Sequence, residues 1–510
     1  MTLILERVAG WARRTRARDL PPDVLERALL LHLSTAGAIW ATETESPGPL
    51  SARAALAAGH LYTDYGLFGY PAHGGVLGAW LAAEDARLDD WVAATAIATE
   101  VAARLDAWTW LEPTPGASRA WLVAVAAAVA KGWLQGLSEA ELGEALALVL
   151  SEPRVLSTAE SRSFDARARA CLRATDSAVD AVAVAARGDS GDPSILDYGE
   201  GLPGLPCPFV LPIAFSDLGH SYLSRSITFR VDPVAHWHEG TVQALLATLK
   251  RHRSDVGRPL RPEEVESLLV RVDPLSFRHH SHSSAITRLP SAGQLPLSLP
   301  HLLGILVALH EGGPALCDPT GLPQHEAAIL DVAERVQLAP EPAWSILRLT
   351  GLRDTIGPVF GEVPLGERIA FARNVGLGAL RASRGGFVGV SAREAALTLT
   401  SLLRRGHPSL RIGPTDRWGT VAPPRPSSIR LGTPDGSWAE TRATVEGGPA
   451  RRQDDLRRVV VGKFARGRAW RFGRSAAIES GARARAEVLL RSIGHGAPTA
   501  SEALTMLVEA

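Results

Sequence analysis

The sequence predicts a mainly α protein, in which a large all-helical domain is combined with a smaller α+β domain. Through the first ~220 residues, apolar side chains recur at helical spacing. Beyond the stretch 203–208 (PGLPCP), segments with period-two alternation are mixed with helical ones, which is typical of an α+β domain. Helical spacing returns from residue 476 onward, so both ends of the chain are expected to build the helical domain together.

Local signals predict the helices of the first part. Pro21-Pro22-Asp23 begins one helix, because a proline in the first turn gives up no hydrogen bond. Ser118 is expected to cap a helix that is apolar on nearly every face and therefore central. The ranges predicted after the first helix are Val92–Leu105, Ala120–Lys131, Glu139–Leu150 and Ala168–Ala186.

The middle of the chain predicts strands as well as helices. The strand-like segments are Ser226–Val231, Val265–Val272, Ser428–Leu431 and Trp438–Val445. The turn signal Thr433-Pro-Asp-Gly436 separates the last two, and Thr241–Lys250 is a predicted helix. We therefore expect residues 1–222 and 463–510 in the helical domain and residues 223–462 in the α+β domain.

Composition argues against several classes of protein. The 510 residues carry 54 basic and 54 acidic side chains, which suggests neither a nucleic-acid nor a membrane partner. Cys171, Cys207 and Cys317 lie far apart without CxxC spacing, so a reducing cytoplasm is expected. The first residues gain charge too early for a signal peptide, and the apolar run Ala28–Ala41 is too short to span a bilayer.

Lysine is rare in this chain and occurs only at Lys131, Lys250 and Lys463. Few side chains therefore remain for lysine-type proton transfer, whereas arginine keeps its charge and binds carboxylates with two hydrogen bonds. No nucleotide loop, Ser-His-Asp elbow or metal motif is visible, so we expect no cofactor and no metal.

The stretch 60–75 (HLYTDYGLFGYPAHGG) is the strongest functional signal. It places His60, the Thr63-Asp64 pair and His73 among glycines between helical segments. Polar groups of this kind are costly to bury without partners, so a site is expected here.

This stretch resembles the signature of the MmgE/PrpD family, which includes methylcitrate dehydratases, cis-aconitate decarboxylases and iminodisuccinate epimerases. Segments that resemble other family landmarks occur in the same order, at 20–28, 96–105, 297–301 and 439–464. The resemblance covers residues ~5 to 335 and ~422 to 510, and leaves about 337–421 as an insertion that contains two helical stretches, Leu365–Ala382 and Ala392–Arg405.

The resemblance implies a fold and a chemistry. The implied fold is a large helical domain with a smaller α+β lid, an active site between them, and a homodimer. The implied reactions abstract a proton next to a carboxylate of a small-molecule substrate, with loss of water or carbon dioxide, or with inversion.

The first family motif places an acid, a threonine and a histidine at fixed spacing. His73 matches the histidine, and His60 matches a histidine further upstream. Counting back from His73 places Thr63 at the acid position and Leu67 at the threonine position, while a one-residue shift restores Asp64 as the acid. For either histidine, the alternative is a buried, hydrogen-bonded structural residue.

Other family positions carry exchanged residues. Glu112-Pro-Thr114 stands where the family has His-Pro-Thr, and a glutamate in a dry cleft can act as acid or base. His301 stands where the family often has tyrosine, and it can exchange protons near pH 7. The alternatives are a solvated loop carboxylate for Glu112 and a partly buried helix residue for His301.

Two family lysines are replaced by arginine. Arg167 takes the place of the first, with Arg169 as the other candidate, and Arg230 takes the place of the second, on the first lid strand. Arginine there can hold a carboxylate of the substrate but hardly moves a proton. The alternative is a surface arginine in an arginine-rich chain.

Two histidine clusters lie outside the family pattern. His236-Trp-His238 has metal-ligand spacing, but no third ligand with partner spacing follows. His280 lies in the polar segment 278–284, which is either a plain loop or a loop that closes on substrate, with His238 and His280 as binding residues.

Three functions follow from this inventory. The first is a lyase or isomerase with an altered site that acts on a specialised-metabolite intermediate by a double-bond shift, cyclisation, dehydration or decarboxylation. The second is a non-catalytic binding or scaffold protein on the same fold. The third is an ordinary tricarboxylate dehydratase or decarboxylase, against which the missing lysines and tyrosine argue.

Overall fold

The computed structural model confirms a mainly helical protein with one small sheet. The residues it describes are 3–41, 64, 72–84, 86–109, 119–152, 164–197, 215, 217–272, 277, 288–291, 293–318, 321–341, 344, 426–442, 444–449, 451–473, 475–495 and 498–508. Within that part of the chain, none of the helices is both long and apolar enough to cross a membrane.

Helices from both ends of the chain share one large hydrophobic core. The helices before residue 200 are α1 (Ile4–Arg14), α2 (Pro22–Ala41), α3 (Gly74–Trp80), α4 (Leu88–Thr109), α5 (Ala120–Leu134), α6 (Glu139–Ser151) and α7 (Phe164–Ala185). Three of the later helices join the same core: α11 (Gln453–Phe472), α12 (Ala476–Ser492) and α13 (Ala500–Val508).

The middle of the chain has a separate, smaller core. Its helices are α8 (Glu239–Val256), α9 (Leu299–Leu309) and α10 (Glu326–Glu334), and its strands are β1 (Ser267–Val272), β2 (Val336–Pro340), β3 (Ser427–Thr433) and β4 (Gly436–Arg442). The sheet order is β2-β1-β3-β4. β1 pairs parallel with β2, and the other two pairings are antiparallel.

Most predicted elements are present at close to the predicted bounds. Helix α2 begins at Pro22, and the Thr433–Gly436 turn joins β3 to β4. The predicted cap of α5 is wrong, because the capping position is Arg119 and its side chain makes no capping hydrogen bond. Strand β2 was not predicted, and it extends to Pro340, inside the range assigned to the insertion.

The predicted strand Ser226–Val231 is also wrong. A short 3₁₀ helix occupies Leu223–Ser226, and residues 227–231 belong to no strand element. The N–H groups beyond it go to other partners: that of Arg230 donates to the Asp64 carboxylate (2.8 Å) and that of Val231 to the Glu239 carboxylate (2.9 Å). These two N–H groups are therefore satisfied by carboxylates and not by a neighbouring strand.

A buried ion network fixes the chain just before this segment. Arg104 on α4 donates to Glu100 (2.6 Å), to Asp217 (2.5 Å) and to the carbonyl oxygen of Ser221 (2.8 Å). Glu100 in turn accepts the N–H of Ser224 (2.8 Å). Each of these buried charges has a partner, and the hydrogen bonds hold residues 217–224 against α4.

Helices α2 and α11 cross in direct backbone contact. A Cβ atom added at Gly467 would lie 2.3 Å from the carbonyl oxygen of Gly37, and one added at Gly37 would lie 2.8 Å from the Cα of Phe464. Only glycine at both positions permits this approach. The crossing brings Ser34 on α2 beside Lys463 on α11.

Candidate active site

The candidate site is centred on the carboxylate of Asp64, which is 3% exposed. Its Oδ1 atom accepts hydrogen bonds from the Ser34 hydroxyl (2.9 Å) and from the N–H of Arg230 (2.8 Å). The Lys463 ammonium lies 3.4 Å from the same oxygen. We refer to Ser34, Asp64, Lys463 and the N–H of Arg230 as the Asp64 cluster.

All the hydrogen bonds of this carboxylate to described residues fall on Oδ1. The second oxygen, Oδ2, accepts none from the described part of the chain. A carboxylate held by one oxygen, with the other left available, has the arrangement of a general base.

Lys463 is the cation of the cluster. Its Nζ donates to Ser34 Oγ at 2.6 Å, and its side chain is 2% exposed. Burial lowers the pKa of Lys463 to about 8, with Asp64 acting in the opposite direction and Arg230 adding to the decrease. An amine with this pKa populates both protonation states near neutral pH, as proton transfer requires.

The segment that carries Arg230 is fixed from several sides. Arg230 is fully buried, and the N–H of Phe229 donates to the carbonyl oxygen of Gly447 at 2.9 Å. Two residues on, Asp232 accepts the N–H of Gly313 at 2.7 Å, and its Oδ2 has no hydrogen-bond partner among the described residues. Burial raises the pKa of the Asp232 carboxyl, so a second buried acid group lies behind the cluster.

His73 lies at the capping position of α3 and is 1% exposed. Neither ring nitrogen has a hydrogen-bond partner in the described part of the chain. Burial lowers the pKa of His73 to about 3, and the positive charge of Arg167 lowers it further. The structure therefore brings Arg167 and a neutral His73 together, and the N–H of Ala72, next to His73, donates to the Asp64 carbonyl oxygen at 2.9 Å.

His32 shows what a structural histidine looks like in the same core. Its Nδ1 accepts from the Trp80 indole at 2.8 Å, and its Nε2 contacts Thr95 Oγ1 at 2.9 Å. The ring also stacks on Trp91, with 3.7 Å between centroids. Burial lowers the pKa of His32 to about 3 as well. The two histidines are therefore both buried, and they differ in that His32 has hydrogen-bond partners whereas His73 has none among the described residues.

His238 and His301 lie on the side of the smaller core. His238 is at the capping position of α8, and its Nε2 contacts the carbonyl oxygen of Leu297 at 3.1 Å. His301 is on α9 with its Nδ1 2.6 Å from Ser298 Oγ, and burial lowers its pKa. Leu297 packs against a small apolar group made of Ala38 and Ala41 on α2 and Ala235, so the carbonyl oxygen that contacts His238 belongs to a residue packed on this group.

Five of the candidate residues lie outside the described residues: His60, Thr63, Glu112, Thr114 and His280. The helical stretches predicted within 365–405 lie outside them too. Among the residues that the structure does describe, no group of three His, Cys, Asp or Glu side chains is placed to hold a metal ion.

One family model matches part of the chain. The model of the MmgE/PrpD N-terminal domain matches residues 62–204, a range that begins two residues before Asp64 and includes His73 and Arg167. Over this range the chain is similar to the MmgE/PrpD N-terminal domain, which supports membership of the MmgE/PrpD family. In the comparison with curated proteins, no sequence matches the chain.

Two members of the Asp64 cluster were missed from the sequence. Ser34 and Lys463 come from different parts of the chain, and no motif joins them. The available signal was Lys463 itself, a rare lysine that follows the apolar run 459–462 (VVVG) in an arginine-rich chain. A charged side chain in such a run is seldom buried without a partner.

Proposed function

We propose that this MmgE/PrpD protein is a lyase- or isomerase-type enzyme in which Asp64 takes the proton from a carbon of the substrate. MmgE/PrpD family members are generally lyases, which supports a lyase-type activity. The observation that carries the proposal is the buried Asp64 carboxylate, held by Ser34 and the Arg230 N–H on one oxygen. Acid–base chemistry of the chain's own side chains is sufficient for such a reaction.

His73 is the second group of the proposed site. It is buried, uncharged near neutral pH and without a hydrogen-bond partner among the described residues. A buried polar group without a partner costs about 1–3 kcal/mol, so its retention is best explained by a ligand that completes its hydrogen bonds. The charge of nearby Arg167 suits a carboxylate of that ligand.

Arginine at the two lysine positions of the family supports a changed reaction. Arginine holds an anion but does not exchange protons at neutral pH, so Arg167 and Arg230 fit substrate binding and not proton transfer. We therefore propose a substrate other than the small tricarboxylates of the family, such as an intermediate of specialised metabolism, and a homodimer as the assembly.

The test uses the metabolite extract of a strain that lacks the gene. Purified wild-type protein is incubated with the extract in D₂O, and mass spectrometry detects compounds that are consumed or that gain deuterium. We expect Asp64→Asn and His73→Ala each to lower the rate by roughly a hundredfold. His495→Ala, at an exposed position, is the matched control and should retain the wild-type rate.

Two results would contradict the proposal. If both site variants are folded by circular dichroism and retain the wild-type rate, the site does not work through Asp64 and His73. If the wild-type protein binds a compound of the extract but consumes none, the protein is a binding or scaffold member of the family. Turnover of added methylcitrate or cis-aconitate would show instead that the protein catalyses the ordinary reaction of the family.

A further inference from the structure

The Asp64 cluster contains more than a base and its supports, because it has a continuous chain of exchangeable protons. Lys463 Nζ lies 2.6 Å from Ser34 Oγ, and Ser34 Oγ lies 2.9 Å from Asp64 Oδ1. Both distances are those of hydrogen bonds, and the direct distance from Lys463 to Asp64 is longer, at 3.4 Å. The hydroxyl of Ser34 therefore lies between the amine and the carboxylate.

A proton taken up by Asp64 needs an acceptor. Asp64 and Ser34 are 3% and 0% exposed, so water reaches neither readily. The arginine nearest in the cluster, Arg230, cannot accept a proton at neutral pH. Lys463 is the basic side chain of the cluster that can accept one.

We propose that Ser34 and Lys463 form a proton relay behind Asp64, in which a proton taken from the substrate is stored on the Lys463 amine. This inference rests on the proposed function of Asp64. Ser34 and Lys463 act through Asp64 and are not themselves in contact with the reacting carbon.

The proton balance of the relay is complete. Asp64 accepts the proton of a substrate C–H bond, and the electron pair of that bond stays on the substrate. The carboxyl group then turns so that its protonated oxygen, Oδ2, faces Ser34, and it gives this proton to Ser34 Oγ while the Ser34 hydroxyl gives its own proton to Lys463 Nζ. The carboxylate and the hydroxyl are regenerated, and the amine becomes an ammonium ion paired with Asp64.

Several charged groups face Lys463 and set its titration. Asp64 and Glu239 raise its pKa, Arg230 lowers it, and burial lowers it most, to about 8. The charge of Lys463 also reaches Asp232, on the segment that follows Arg230. Since the relay needs the neutral amine in the resting protein, turnover should rise as pH increases through about 8.

The first arm of the test measures Lys463 without any substrate. The full-length protein is labelled with ¹⁵N at the lysine side chains, and three resonances are followed from pH 6 to 11. Lys463→Arg assigns the resonance of Lys463, which should titrate near 8. Asp64→Asn should lower that pKa, because it removes a negative charge that raises it. A Lys463 resonance that titrates near 10.5 and does not respond to Asp64→Asn would overturn the relay.

The second arm measures turnover of the extract compound between pH 6 and 10. Lys463→Arg keeps the positive charge but cannot accept a proton, and Ser34→Ala removes the bridging hydroxyl. We expect each to lower the rate at least tenfold, with Lys463→Arg abolishing the rise near pH 8, while the control Lys250→Met, at an exposed position, changes neither.

The outcomes separate the relay from the proposed function. If Lys463→Arg keeps the wild-type rate and pH profile, Lys463 serves only as a charge, and the relay is wrong while the role of Asp64 stands. If wild-type protein consumes nothing, the proposed function fails, and the titration of Lys463 still decides whether the amine is coupled to Asp64. Lys463→Gln, a neutral variant, checks that any loss with arginine is not due to its size.

Discussion

The crossing of α2 and α11 allows one prediction to be worked out from the structure. In Gly467→Ala, the new Cβ would lie 2.3 Å from the carbonyl oxygen of Gly37, whereas Cβ atoms essentially never come within 3.0 Å of such an atom. The two backbones must therefore separate by 0.7 Å or more. Overpacking of this kind costs about 1–3 kcal/mol. Alanine returns about 1 kcal/mol through its higher helix propensity.

The expected net effect is a loss of about 0–2 kcal/mol in the free energy of unfolding, from about 1–3 for overpacking less about 1 for propensity. Gly481→Ala is the matched control, since this exposed glycine of α12 has no atom within 4 Å of the new Cβ. The control should stabilise the protein by ~0.5–1 kcal/mol.

The assay is urea unfolding of both variants and wild type, followed by circular dichroism at 222 nm. The same separation would lengthen the 2.6 Å contact between Lys463 and Ser34, so Gly467→Ala should also change the ¹⁵N titration of Lys463. If Gly467→Ala is as stable as Gly481→Ala, and Lys463 titrates as in wild type, the close backbone contact does not hold the cluster together.

Two further predictions concern buried charge and pH. Arg104→Met leaves buried carboxylates without their cation and should destabilise the protein by about 3–5 kcal/mol, whereas Arg14→Met, which breaks an exposed ion pair, should cost at most ~1 kcal/mol in the same urea assay. His32 and His73 both have a pKa of about 3 in the folded protein, below the usual 6.5, so the unfolded chain binds more protons between these values. Stability is therefore complete above about pH 6.5 and should fall as pH decreases toward 3, by up to ~1.4 kcal/mol per pH unit for each histidine. His73→Gln should make that decrease shallower in thermal melts from pH 7 to 4, and an unchanged slope would show that His73 does not contribute.

The parts of the fold that were predicted correctly depend on local signals. Pro22 in the first turn marks the start of α2, and the Pro-Asp-Gly turn marks the hairpin of β3 and β4. Both follow from backbone preferences of residues next to one another. The segment 226–231 has the same kind of pattern but belongs to no strand element, and two of its N–H groups go to the carboxylates of Asp64 and Glu239.

In the candidate site too, residues close together in the sequence could be predicted, and residues far apart could not. Asp64 and His73 lie close together in one family motif, whose spacing matches His73 and places Thr63 at the acid position, and a shift of one residue restores Asp64. Lys463 lies 399 residues from Asp64, and no sequence window contains the pair. The packing of α2 against α11 brings the Lys463 amine to Ser34. That packing depends on Gly37 and Gly467, and their role cannot be recognised from the sequence without knowing that the two helices are in contact.

The separation of these residues along the chain has a consequence for protein synthesis. Ribosomes make the chain from its N-terminus at about 5–20 residues per second, so the 233 residues between Arg230 and Lys463 take roughly 10–50 s to add. During that time the nascent chain has Asp64 and the amide of Arg230 but lacks the amine. Chains that end before α11, whether unfinished or cut, therefore have no Asp64–Lys463 pair, and the proposed chemistry of the site requires α11.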